Sequence, residues 1–130
     1  LSEIIRAHIA HQYNLIVPAA CAQLEGMMVD FFGHTGKLHE YELKAFYRSA
    51  VQSDKTFSEP VLKFVDGVLL VRFRHGEEIK STLSRHAVLH GADLHYGTAS
   101  NSLKLILLLD YLQDRMKLLQ YEFADSNNDS

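Results

Sequence analysis

The sequence has a single cysteine, Cys21, and several other scarcities set limits before any motif does. One thiol excludes an intrachain disulfide and a cysteine-rich zinc site, and it fits a reducing cytoplasm. Long apolar runs are missing too. The longest continuous stretch is Leu105 to Leu109, far short of a bilayer crossing. No basic n-region followed by an apolar h-region opens the chain, so neither secretion nor a membrane is expected. The opening leucine, in place of methionine, is compatible with a piece of a longer protein or a processed form. There is no basic excess either: 13 Lys+Arg against 16 Asp+Glu give a formal net charge of -3. That balance excludes a broad electrostatic surface for nucleic acid and leaves a compact pocket, or one assembled from two subunits.

What is present describes one ordinary domain. The chain has 130 residues, 47% hydrophobic and 22% charged, enough for a single core. Apolar spacing reads as helix nearly everywhere. Ser2 to about Gln12 forms a short first helix with Ser2 as N-cap. Asn14 to Phe32 forms a second, with Pro18 in its first turn and Gly33 as its stop. Two stripes, Leu15, Ala19, Ala22 and Gly26 on one side and Ile16, Ala20, Leu24, Met27, Met28 and Phe31 on the other, predict a central place in a bundle, with Glu25 a buried acid needing a partner. A third helix covers His39 to about Gln52. Asp66-Gly67 between apolar residues also fits a hairpin turn, but Ser58-Glu59-Pro60 is a good helix start, and a helix over Ser58 to Arg74 is the preferred reading. Arg85 to His90, closed by Gly91, reads as a short helix. Thr98 caps a last helix whose stripe Leu105, Leu108, Leu109, Leu112, Met116 and Leu119 runs to about Tyr121 or Glu122. The expected fold is an all-α, up-and-down bundle of five or six helices over residues 1–123, with Ala124 to Ser130 as a disordered tail.

Eight histidines are the one compositional excess. Arg85, His86 and His90 put a fixed cation and two imidazoles within one or two turns, side chains suited to holding a phosphate and moving a proton near neutral pH. The spacing alone is weak. Arginine followed five residues later by histidine is expected roughly 0.4 times by chance in this composition, and Arg6 to His11 repeats it. Context separates the two copies, since Arg85's run ends in Gly91 before an irregular loop, where sites tend to be built.

Arg85-His86-Ala87-Val88-Leu89-His90-Gly91, then Tyr96-Gly97-Thr98, Asn101 to Lys104 and Leu107 to Leu112, resembles the C-terminal half of bacterial HEPN-type domains. Gln23-Leu24-Glu25-Gly26 is similar to part of their long early helix. The resemblance implies a helical bundle, often a homodimer, and a metal-independent endoribonuclease of toxin, phage-defence or RNA-processing systems, with RNA as substrate and an antitoxin or a fused domain as a further partner. It makes Arg85 and His90 the catalytic pair and His86 the intervening polar residue. Tyr96 and Lys104 are the candidate substrate-binding residues, and Glu25 and Gly91 structural supports. No cofactor or metal is implied. No tyrosine stands two residues after His90, so the modification-regulated form of the motif is not expected.

On this reading His90 takes the proton from a 2′-hydroxyl, Arg85 stabilises the phosphorane, and His86, or a partner subunit's His90, protonates the leaving oxygen. On a regular helix Arg85 and His90 are roughly 140° apart around the axis, so a helix end, a bend or a second chain is required. Other readings stay open. Arg85 pairs with Glu25 or Asp93 for structure, with His90 a hydrogen-bonded histidine at a helix end, in a non-catalytic dimerisation or binding module. His86 and His90 at i and i+4, with His95 following, have ligand spacing but lack the glutamate of a metalloprotease motif. His8, His11, His34, His39 and His75 read as solvated.

Overall fold

The computed structural model describes residues 1–72, 76–78, 81–91, 93 and 95–128. Among them the fold is all-helical, without strands: α1 (Ser2–Ile9), α2 (Tyr13–Phe32), α3 (Glu40–Val51), α4 (Ser58–Phe64) continued by a π-helical turn (Val65–Leu69), α5 (Arg85–Leu89) and α6 (Ala99–Asn128). The centre is the packing of α2 on α6, with α1 and α3 laid against both and the short α5 seated on α2. Ile16, Val17, Ala20, Leu24 and Met28 from α2 meet Leu105, Leu109 and Leu112 from α6, and Leu43, Tyr47 and Val51 complete the core from α3.

Several local expectations are corrected. Ser2 is the first helical residue and makes no side-chain cap bond, and α1 stops at Ile9 because His11 takes a positive φ of 60° that turns the chain into α2. Pro18 lies in the second turn of α2, inside the helix rather than at its start. Its missing N–H removes the bond that the Asn14 carbonyl would otherwise accept. By length and composition α2 reaches what a membrane crossing requires, 20 residues at a mean hydropathy of 1.4, which counting unbroken apolar runs did not reveal. Only one of its two apolar stripes is buried; Leu15, Ala19, Ala22 and Gly26 face solvent. Ala and Gly carry little apolar area, so exposing that side costs little.

The hairpin alternative at Asp66-Gly67 is not adopted. The helix begun at Ser58 widens at Val65, with the amide of Leu70 donating to the Val65 carbonyl at 2.8 Å, and ends there. A wider turn brings Leu69 and Leu70 toward the same side as Val65, and all three are buried. Arg74, the expected end of this helix, and His75 lie outside the described residues. At the other terminus α6 runs through Asn128, past the expected stop near Tyr121 or Glu122 and through most of the segment read as a tail, with Leu118, Tyr121 and Phe123 exposed.

Candidate functional site

The segment Arg85 to Gly91 is shaped by two residues at its ends. Ser84 caps α5: its Oγ accepts from the Ala87 amide at 3.2 Å and donates to the Val71 carbonyl at 2.7 Å, tying the helix start to the chain that leaves the π turn. Gly91 closes the other end at φ 73°, its amide donating to the Val88 carbonyl at 3.2 Å. A left-handed residue here suits glycine, and it leaves His90 as the C-cap rather than a regular helical position. The angular separation of Arg85 and His90 on an ideal helix is therefore relieved by a helix end.

Arg85, His86 and His90 line one cleft of about 680 Å³, together with Lys37, Leu38, His39, Glu40, Arg72 and Glu77. One chain suffices to bring Arg85 and His90 to a common space, so the geometry no longer demands a second. Arg85 is half-buried, and its Nη2 donates to Glu25 Oε1 from the middle of α2, the partner that the sequence made available. Among the described residues its buried Nε meets no hydrogen-bond partner. The His86 and His90 rings meet edge to face, centroids 4.5 Å apart. Burial above all, with His90, Arg85 and Arg72 adding and Glu40 opposing, holds the His86 imidazole below its ordinary 6.5. His90 is exposed.

The rest of the cleft comes from places where the sequence offered no motif. The loop from α2 to α3 contributes Lys37, Leu38 and His39, and it is pinned by His34: Nε2 meets the Lys37 carbonyl at 3.0 Å and Nδ1 meets Glu42 Oε2 at 3.2 Å. Glu42 also receives the His39 amide at 3.2 Å, capping α3. Glu40 pairs with Arg72. Three fixed cations thus face two carboxylates and three imidazoles in the lining, and among the described residues Lys37 makes no ion pair. His39, read as solvated, belongs to this wall. His34 and His8 are not simply solvated either, since His8 bonds Ser102 Oγ at 2.8 Å.

Tyr96 and Lys104 do not line the cleft. The turn at Gly91 sends the chain away from it toward the start of α6, where Thr98 Oγ1 caps the helix by accepting from the Asn101 amide at 3.1 Å. Tyr96 is half-buried against the core, and its carbonyl accepts from Asn101 Nδ2 at 3.0 Å. Gly97 lies so close to α2 that a Cβ there would run into the Asn14 side chain. Lys104 lines a separate polar cavity of about 530 Å³ with Asp93, His95, Thr98 and Asn101. Asp93 is not the partner of Arg85; its Oδ1 accepts from the His95 amide at 2.8 Å. No family model matches the chain, and neither a curated protein nor a solved structure matches it.

Proposed function

We propose that the cleft cleaves RNA phosphodiesters without a metal, by attack of the 2′-hydroxyl on the adjacent phosphorus. The observation that carries this reading is the convergence of Arg85, His86 and His90 on one open cleft, the two rings in contact. Arg85 and Lys37 hold the phosphate and offset the charge that grows on its equatorial oxygens, Arg85 through N–H donors not committed to Glu25. Acid–base chemistry needs one group placed to accept a proton and a neighbour placed to supply one. His86, kept neutral by burial, takes the 2′-hydroxyl proton, reversing the roles expected from the motif. The 2′-oxygen then bonds to phosphorus, the bond to the 5′-oxygen breaks, and His90 in its protonated form supplies the proton to that oxygen. A 2′,3′-cyclic phosphate and a 5′-hydroxyl end remain. The setting implied by the resemblance, a HEPN-like toxin, phage-defence or RNA-processing protein, is part of the same proposal.

A non-catalytic dimerisation or binding module is the second reading. It is favoured by the Arg85–Glu25 pair, which gives the arginine a structural partner, and by exposed Leu103 and Leu107 on α6, a leucine face available to a second chain. The experiment is cleavage of a mixed single-stranded RNA in EDTA by wild type, Arg85→Ala, His86→Ala and His90→Ala, each checked for folding by circular dichroism. Cleavage lost in all three supports the enzyme. Cleavage unchanged by them, or absent from wild type, removes this assignment.

A further inference from the structure

The start of α3 carries two rings in register, and they stand at the edge of the cleft. His39 precedes the helix and Tyr41 lies in its first turn; their centroids are 5.4 Å apart and their planes 12° from parallel. Tyr41 is 71% exposed, and His39 is exposed while lining the same cavity as Arg85, His86 and His90. Neither ring belongs to the core. The backbone beneath them is fixed, because the His39 amide is held by Glu42 and the preceding loop by His34. The His39 ring is thus backed by a second ring and carried on an ordered turn. Between the two, Glu40 keeps its buried Oε1 without a hydrogen-bond donor among the described residues.

A flat π surface beside a fixed guanidinium has the two chemistries a nucleotide presents, a base face and a phosphate. We propose that His39, backed by Tyr41, is the stacking platform for a nucleobase of single-stranded RNA whose phosphate lies at Arg85. The inference rests on the phosphodiester reading of the cleft and adds to it that the substrate is single-stranded, since a base inside a duplex has no free face to offer.

The test exploits the absence of tryptophan from the sequence. His39→Trp introduces one fluorophore at the platform, and the probe is a 2′-O-methyl oligonucleotide, which lacks the attacking hydroxyl and is not consumed. The base-bearing strand quenches this fluorescence, and an abasic strand with the same phosphates does not. By anisotropy, His39→Ala weakens binding of the base-bearing strand about tenfold or more, as the loss of one stacked base does, while His39→Phe retains it. Tyr41→Ala, at an exposed position, weakens it in the same direction without threatening the fold. Equal binding by wild type and His39→Ala, or equal binding of abasic and base-bearing strands, with RNA cleavage by wild type intact, overturns the platform and leaves the cleft reading standing. If wild type binds neither strand and cleaves no RNA, both fall together.

Discussion

Arg85 and Glu25, 60 residues apart in the chain, close an ion pair that pins α5 to the middle of α2, each side chain about one-fifth exposed. Glu25→Ala leaves a half-buried guanidinium without its counter-ion, and the expected loss of stability in urea denaturation is about 1–3 kcal/mol, less than for a fully buried pair because solvent reaches both groups. Arg85→Met combined with Glu25→Leu recovers most of that loss while leaving the cleft without its phosphate ligand. A double variant as unstable as the singles would show that the pair does more than neutralise charge.

The depressed titration of His86 has two separable consequences. As a base it stays neutral below pH 6.5, so the acid limb of the wild-type rate profile falls below that value, and His86→Asn abolishes the limb together with the activity. For stability the direction is fixed by linkage. As pH falls through 6.5 the unfolded chain takes up a proton at His86 that the folded chain refuses, so folding stability declines there and levels off once the folded form is protonated too. His86→Asn flattens that part of the curve. An acid limb above pH 7 in the wild type would contradict the neutral-base assignment.

Gly91 is expected to be the most sensitive glycine for the site. Its φ of 73° makes Gly91→Ala cost about 1–2 kcal/mol, although among the described residues no atom crowds the new methyl group. Gly91→Asn costs less, since asparagine tolerates the left-handed region. Because His90 stands immediately before the turn, the alanine variant loses more RNA cleavage than its melting temperature alone accounts for.

Burial also marks three groups outside the lining of the cleft. The Cys21 thiol is pushed up to about 12 by desolvation, so its reaction with Ellman's reagent in native protein is roughly two to three orders of magnitude slower than in urea. Tyr111 is pushed up to about 12 by desolvation and by its 2.7 Å hydrogen bond to Asp54, and Tyr47 is pushed higher still by burial. In an ultraviolet titration both ionise in the last phase, above pH 11. Tyr111→Phe diminishes that phase and lowers stability by about 1 kcal/mol.

Much of the fold was legible because its signals are local. The α6 stripe, the caps at Thr98 and Gly91, and α3 with His39 at its entry follow from spacing and capping chemistry. The all-helical class follows from the same periodicity. Glu25 could be marked as an acid in need of a partner because it interrupts an apolar helix. The corrections arise where tertiary packing decides: the exposed side of α2, the π turn that lets Leu69 and Leu70 bury together, and the positive φ at His11. In the cleft, the contiguous run Arg85 to His90 could be read directly. Lys37, His39, Glu40 and Arg72 could not, since nothing in their spacing ties the α2–α3 loop to α5. The one available hint was a histidine at a helix N-cap with a tyrosine two residues on. Tyr96 and Lys104, which came with the resemblance, lie past the turn at Gly91 and do not line the cleft.

Five residues make a helix of barely more than one turn, too short to hold itself in water, so α5 persists through its neighbours: Ser84 to Val71, Arg85 to Glu25, and the burial of Ala87 and Val88. The three side chains that define the cleft therefore ride on an element that can detach without the bundle coming apart. Amide exchange should reveal this as an opening of residues 87–90 well below the free energy that unfolds α2 and α6. Function would then fail on heating, or after loss of any one of those anchors, before the molecule loses its helical signal, and the temperature at which the site disappears would be a different quantity from the temperature at which the protein melts.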